Sequence, residues 1–220
     1  MVVGVLAFQG DFAEHMDILR SMGVRCTEVR SLQDLASVDH LIIPGGESTV
    51  MARFLRETGV GEEIRKRATY SFPAAGTPRP GETGEKAPHF VRLRQTTRGR
   101  ERSKPLAVFG TCAGAILLAR KATGKNVPRS LELIDIEVDR NAYGTQIDSF
   151  ETTLKIYGIK QLVPVAFIRA PKITKVGKSV EILASHRGFP VLVRQGRVLV
   201  ATFHTEVRGE SAIHEFFLRM

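Results

Sequence analysis

The chain has 220 residues, of which 43% are hydrophobic and 25% charged, with two cysteines and a formal net charge of +9. That length and apolar content suit one domain with a real core and exclude a disordered chain. No apolar run approaches the ~20 residues of a membrane span, and two cysteines make neither a disulfide framework nor a zinc spacing, so reduced thiols in the cytoplasm are expected.

Residues 2–8 are continuously apolar, as in a strand buried on both faces. No basic segment precedes them, so they read as a first core strand and not as a signal peptide. Residues 12–22 carry Phe12, Met16, Ile18 and Leu19 at helical spacing and stop at Gly23. Residues 26–29 and 40–43 predict two further strands, the second closing on Pro44-Gly45-Gly46. Residues 48–57 predict a helix with Ser48 or Thr49 near its N-cap. A strand at 106–109 and a helix at 113–120 continue the alternation, which predicts a parallel α/β sheet with covering helices. The second half reads differently: 131–138, 152–156, 165–168, 180–185, 190–194 and 197–203 are strand-like, with a hairpin turn at Gln195-Gly196 and a closing helix at 211–220.

Residues 70–104 fit neither pattern. They are rich in Pro, Gly, Thr and Arg, and loops of this length inside a compact domain are uncommon. Between Ala68 and Lys104, eight Lys/Arg stand against three acidic residues, so more than half of the net positive charge lies there. We expect a single domain, 1–220, with a basic insertion at about 68–104. It reads as a solvated arm joining a helix to a strand at the N-terminal edge of the sheet. Contact with another protein is a rival reading. Nucleic-acid binding is a weaker one, because few aromatics are interleaved and no recognition motif accompanies the charge.

One of the two cysteines lies in Gly110-Thr111-Cys112-Ala113-Gly114, between an apolar run and a helix-forming run. This is the strand–turn–helix pattern of a nucleophile elbow with cysteine as nucleophile, its glycines allowing a sharp turn. The side chain would project at the C-terminal edge of the sheet, where open α/β folds bind ligands. The following helix would point its N-terminal dipole at the sulfur and favour thiolate. The pentapeptide alone is equally compatible with a small buried core cysteine.

A thiolate nucleophile needs a base, and the base an orienting group. His204 follows an apolar strand, and Glu206 comes two residues later. The other histidines lack such a setting: His15 and His214 fall in helices, His40 begins a strand, His89 is in the insertion and His186 in a turn. Each of those reads as structural or solvated. Acyl transfer also needs preorganised N–H donors for an oxyanion. The Ala113 amide and the amides of Gly45-Gly46-Glu47-Ser48 are candidates, although the second stretch also reads as an ordinary βα turn.

Together these pieces resemble the class I, triad-type glutamine amidotransferases, which use a Cys-His-Glu triad with cysteine on an elbow. Within that class the stretches GVLAFQGDFAEH (4–15), LIIPGGEST (41–49), FGTCAGAILLA (109–119), DRNAYGTQIDSFE (139–151), FIRAP (167–171) and FHTE (203–206) are similar to the glutaminase subunits of pyridoxal 5′-phosphate synthases. DRNAYGTQ and FIRAP are the most specific of these. The resemblance covers 1–67 and 105–220.

It implies a flavodoxin-like three-layer sandwich with a mostly parallel central sheet and an additional antiparallel region. It implies Cys112 as nucleophile, His204 as general acid/base and Glu206 as its orienter. It further implies that Gly46, Glu47 and Ser48 hold L-glutamine, with Gly46 and Ala113 supplying backbone oxyanion donors. Arg140, Ile168 and Arg169 would complete the substrate pocket, a guanidinium being apt for the α-carboxylate. Neither metal nor cofactor is implied. The implied partner is a (β/α)₈-barrel synthase subunit that receives ammonia, in a dodecameric core with glutaminase subunits docked outside and activated by docking. A glutaminase serving another synthase, and a silent scaffold subunit, are the competing readings. One departure concerns the triad: the usual His-Pro-Glu is His204-Thr205-Glu206, which predicts a looser His–Glu alignment because a fixed φ is lost.

Overall fold

The computed structural model describes residues 1–69, 105–140 and 149–220. Most of the expected basic insertion, and the middle of the 139–151 stretch, lie outside the described residues. The first half runs β1 (Val3–Leu6), α1 (Phe12–Ser21), β2 (Cys26–Val29), α2 (Leu32–Ala36), β3 (His40–Ile43), α3 (Ser48–Glu57) and α4 (Val60–Thr69). It continues with β4 (Ala107–Thr111), α5 (Ala113–Leu118), β5 (Ala119–Thr123), β6 (Ile134–Asp139), β7 (Phe150–Leu154) and β8 (Val163–Phe167). The last elements are β9 (Lys172–Val176), β10 (Glu181–His186), β11 (Phe189–Gln195), β12 (Val198–Ala201), a 3₁₀ turn (Glu206–Arg208) and α6 (Ala212–Leu218).

Seven strands form the central sheet in the order β10-β11-β12-β4-β3-β1-β2. From β12 to β2 neighbouring strands are parallel. The β10–β11–β12 meander adds the antiparallel edge. Successive residues of each central strand feed opposite cores. Leu6, Ile43, Val108 and Val200 pack with Met51, Leu55, Ile64 and Leu117 beneath α3, α4 and α5. Val5, Ile42, Phe109 and Leu199 pack with Met16, Leu19 and Phe217 of α1 and α6, and with Val165 of the β7–β8 ribbon. Covering both faces explains why these strands read as unbroken apolar runs. Each such large side chain, fully buried, contributes about 1.5–3 kcal/mol.

The α/β class, the parallel central sheet and the antiparallel second half agree with the sequence reading. The helix expected over 113–120 stops at Leu118. Ala119 turns extended (φ −58, ψ 146) and opens β5, which pairs with β6. Sheet pairing there overrides a helix-favouring run. Helix α4 was not expected, because its buried Val60, Ile64 and Ala68 are isolated in a charged stretch, one helical turn apart.

The end of α4 meets the start of β4 where the Leu106 amide donates to the Arg67 carbonyl (3.3 Å). The Arg67 guanidinium is buried there and donates to the carbonyls of Leu35 and Val38 (both 2.6 Å). The flanks of 70–104 therefore stand at the N-terminal edge of β4, opposite the end that leads to Cys112.

Candidate active site

Strand β4 ends at Thr111, and Cys112 makes the turn into α5 with φ 46 and ψ −100. A non-glycine residue in that region stores about 1–3 kcal/mol of strain, which persists only where the surroundings impose it. They do so here. The Cys112 amide donates to the Ala201 carbonyl of β12 (3.0 Å), and its carbonyl accepts from Ala115 (3.0 Å). The flanking glycines avoid Cβ clashes, while the sharp turn itself falls on Cys112. Neither takes a positive φ. A Cβ on Gly114 would run into the Ile43 carbonyl oxygen, and one on Gly110 would lie 2.8 Å from the Gly114 carbonyl carbon. They permit β3, β4 and α5 to touch, while the nucleophile itself makes the sharp turn.

His204 lies three residues past β12. It is fixed by a backbone pair with Ala166 of β8: Ala166 N–H to His204 carbonyl at 2.9 Å, and His204 N–H to Ala166 carbonyl at 2.8 Å. Its Nδ1 meets Glu206 Oε1 at 2.5 Å, both side chains being almost wholly buried. The Cys112 side chain stands close enough to act on the same ring. Burial alone would lower the His204 pKa, but hydrogen bonds and charge from Cys112 and Glu206 outweigh it and raise it to about 10. Burial would likewise raise the Glu206 pKa. The nearby His15 imidazole and the hydrogen bond from His204 prevail and hold it at about 2. The site thus favours an imidazolium beside a carboxylate.

The looser His–Glu alignment expected from Thr205 is not found. The Thr205 backbone N–H, a donor that proline lacks, binds Glu206 Oε2 at 2.9 Å. Oε1 faces His204 while the main chain holds Oε2.

The remaining expected site residues gather around this edge. Gly46 takes φ 142, and a Cβ there would meet Gln9 Oε1 at 2.7 Å. Gln9 Oε1 accepts from the Glu47 amide (2.6 Å). Glu47, not Ser48 or Thr49, is the N-cap of α3, its carboxylate accepting from the Thr49 amide and hydroxyl. Those bonds, with Arg140 beside it, lower the Glu47 pKa. Arg140 donates to the same carboxylate and to the Asn126 carbonyl (2.7 Å). Ser48 is buried with no hydrogen-bond partner for its hydroxyl among the described residues. The Ile168 carbonyl lies 3.9 Å from Cys112 Sγ, and Arg169 follows with φ 45. Ala113 opens α5 directly after the nucleophile.

Two neighbours of the His204–Glu206 pair come from residues 10–15. Asp11 Oδ2 lies 3.5 Å from His204 Nδ1, and burial raises the Asp11 pKa. His15, read as an ordinary helical residue, has Nε2 3.6 Å from Glu206 Oε1. The signal was the Gly-Asp-Phe-Ala-Glu-His run at 10–15, whose acid and imidazole lie four residues apart and so face one way on a helix. Asp11, His204 and Glu206 each bring one donor atom within 4.8 Å of the others. The Nδ1 among them is engaged by Glu206, the arrangement of an orienting pair, and we assign no metal to it.

Comparison with known proteins identifies the family. The profile of the SNO glutamine amidotransferase family matches residues 5–78 and 92–220. Pyridoxal 5′-phosphate synthase subunit PdxT of Thermosipho africanus is 40% identical over 221 residues, covering 100% of this chain and 98% of that protein. The subunit of the same name from Thermus thermophilus is 40% identical over 219 residues, covering 100% and 97%. A crystal structure described as a glutamine amidotransferase superimposes with a TM-score of 0.80 at 39% identity, covering 100% and 98%. The PurLQS structure from Thermotoga maritima shares the fold, with a TM-score of 0.63 at 13% identity, covering 99% and 97%.

Proposed function

The chain belongs to the SNO glutamine amidotransferase family, and we propose that it is the glutaminase subunit of a pyridoxal 5′-phosphate synthase, releasing ammonia from L-glutamine for its partner subunit. The observation that carries this reading is the line of Cys112, His204 and Glu206 at the C-terminal edge of the sheet. Full-length relatives bearing the synthase-subunit name support the choice of pathway.

The chemistry follows from the protonation states. His204 starts as imidazolium and stabilises the Cys112 thiolate. The thiolate attacks the side-chain amide carbon of glutamine. The tetrahedral oxyanion is met by the amides of Gly46 and Ala113. His204 donates its proton to the departing nitrogen, ammonia leaves, and a glutamyl thioester remains. Neutral His204 then takes a proton from water, hydroxide adds to the thioester carbon, and glutamate departs as the thiolate reforms. Glu206 keeps Nδ1 of His204 as the donor toward itself, so that Nε2 serves sulfur and substrate. Gly46, Glu47, Ser48, Arg140, Ile168 and Arg169 form the glutamine pocket, with Arg140 and Arg169 offered to the α-carboxylate.

The partner is a barrel synthase subunit, in a dodecameric core with the glutaminases docked outside. Docking sets the oxyanion donors, a population shift between two loop states. The chain acts as a single domain, and the basic stretch at about 68–104, flanked at the opposite sheet edge, has no part in glutamine chemistry. The experiment is ammonia release from glutamine by the wild type and by Cys112→Ala, each with and without the synthase subunit. Release that needs the synthase and vanishes in the variant is expected. A folded wild type that releases none in either condition overturns the reading.

A further inference from the structure

The Glu206 carboxylate is surrounded on three sides. His204 occupies Oε1, the Thr205 amide occupies Oε2, and on the remaining side His15 of α1 brings Nε2 to 3.6 Å from Oε1. The His15 side chain is fully buried. Its Nε2 also lies 3.2 Å from Thr111 Oγ1, next to the nucleophile, and its Nδ1 lies 2.9 Å from His214 Nε2 of α6. Phe109 packs edge-on to both imidazoles and walls the cluster with hydrocarbon. A buried polar ring in such a place is costly unless both nitrogens are satisfied, and here both are.

The proton positions follow from the neighbours. An anion 3.6 Å away favours the hydrogen on His15 Nε2. His15 Nδ1 is then an acceptor, and it takes the Nε2–H of His214. Burial keeps both rings neutral by lowering their pKa values, that of His214 to about 3. The charged or titratable groups facing His15 are Glu206, His204, Asp11 and Glu14, with His214 behind it.

We propose that His15, seated between Thr111 and His214, is a positioning residue whose neutral N–H is shared between Thr111 Oγ1 at 3.2 Å and Glu206 Oε1 at 3.6 Å, and so holds the carboxylate in line with His204. It ties the triad acid to α1, β4 and α6 at once, so the acid rests on a rigid frame and not on its own loop. His15 touches neither glutamine nor sulfur, and its effect reaches the chemistry only through Glu206. This inference rests on the glutaminase reading above.

Two substitutions separate the contact from mere packing. Glutamine can place an amide N–H near the former Nε2. Asparagine reaches only as far as Nδ1, and so keeps His214 company without reaching Glu206. In the assembled synthase, His15→Asn should lower kcat for ammonia release about tenfold or more while KM stays within about twofold. The alkaline limb of its pH profile should move to lower pH, because the His204 imidazolium loses part of its support. His15→Gln should retain most of kcat and the wild-type limb. A second readout needs no turnover: the pH dependence of Cys112 alkylation by iodoacetamide, measured in a Cys26→Ser background, should shift in the Asn variant and not in the Gln variant. Folded variants that behave alike in both readouts overturn the assignment, as does an Asn variant that changes only the melting temperature. A wild type that alkylates normally yet never hydrolyses glutamine would overturn the glutaminase reading instead, leaving the alkylation comparison to decide the role of His15.

Discussion

Ala166 and His204 exchange both of their backbone hydrogen bonds, at 2.9 and 2.8 Å, across segments that share no other strand pairing. The end of β8, which continues into Ile168 and Arg169, is thereby clamped to His204. Ala166→Pro removes one of the two donors and introduces a ring at a buried position, at a cost of about 3 kcal/mol in stability. It should also lower kcat and raise KM together, since His204 and the Ile168–Arg169 stretch move as one. Thermal denaturation beside glutaminase kinetics checks this. A normal KM in the variant would mean that the two segments are independent.

Strain at Cys112 is separable from its chemistry. Both Cys112→Ala and Cys112→Gly should abolish ammonia release. Because φ is 46 at this position, the glycine variant should be the more stable of the two by about 1 kcal/mol. Urea denaturation of the pair reads this directly, and an alanine variant at least as stable as the glycine variant would show that the elbow is unstrained.

Gly45 leaves room for the His204 ring. A Cβ there would run into His204 Cε1 and lie 2.7 Å from Asp11 Oδ2. Gly45→Ala should therefore cost about a hundredfold or more in kcat, as small misplacements of a catalytic group do. Its melting temperature should fall far less than that activity loss would suggest. Near-normal turnover would show that the ring has slack.

Acid stability carries the signature of Glu206. Its pKa is depressed from 4.5 to about 2, so its contribution is present above pH 4.5 and is lost as the pH falls toward 2. His204 has the opposite sign: raised from 6.5 to about 10, it contributes fully below pH 6.5, and that contribution is lost as pH rises through 10. Glu206→Gln should flatten both slopes. Denaturation midpoints that run parallel to the wild type across both windows would count against the ion pair.

Thr205 is fully buried, and its hydroxyl has no partner among the described residues. Thr205→Val keeps the amide that binds Glu206 and removes the orphaned oxygen. Stability should be equal or higher by up to about 1 kcal/mol, with activity retained. A marked loss of activity in a folded valine variant would assign the hydroxyl a role of its own.

The central strands and the elbow were legible because their signals are local. Apolar runs such as residues 40–43, and a cysteine between glycines at the end of one, carry their meaning in a few residues. His204 and Glu206 were legible as neighbours in sequence. The individual contacts around them were assembled by topology. Asp11 and His15 meet Glu206 only because β1 lies beside β3 and β4 beside β12. The partners of Gly110 and Gly114 were hidden for the same reason: the space that their missing Cβ atoms leave is taken by Ile43 and by α5. The effect of Thr205 was misjudged because the loss of a fixed φ is visible in the sequence, while the gain of an N–H aimed at a carboxylate is not.

Strand β4 lies between β3, made early in the chain, and β12, made last. During synthesis on the ribosome the thiol emerges well before its imidazole, and β4 waits with one open edge until residues 198–201 arrive. For that interval the thiol stands without His204, which the proposed reaction needs. The strand is also exposed as a template for foreign strands, because an unpaired apolar edge recruits them. A transcript cut short before β12 would therefore yield a harmless catalyst but a sticky protein, a burden on chaperones and not a source of stray ammonia.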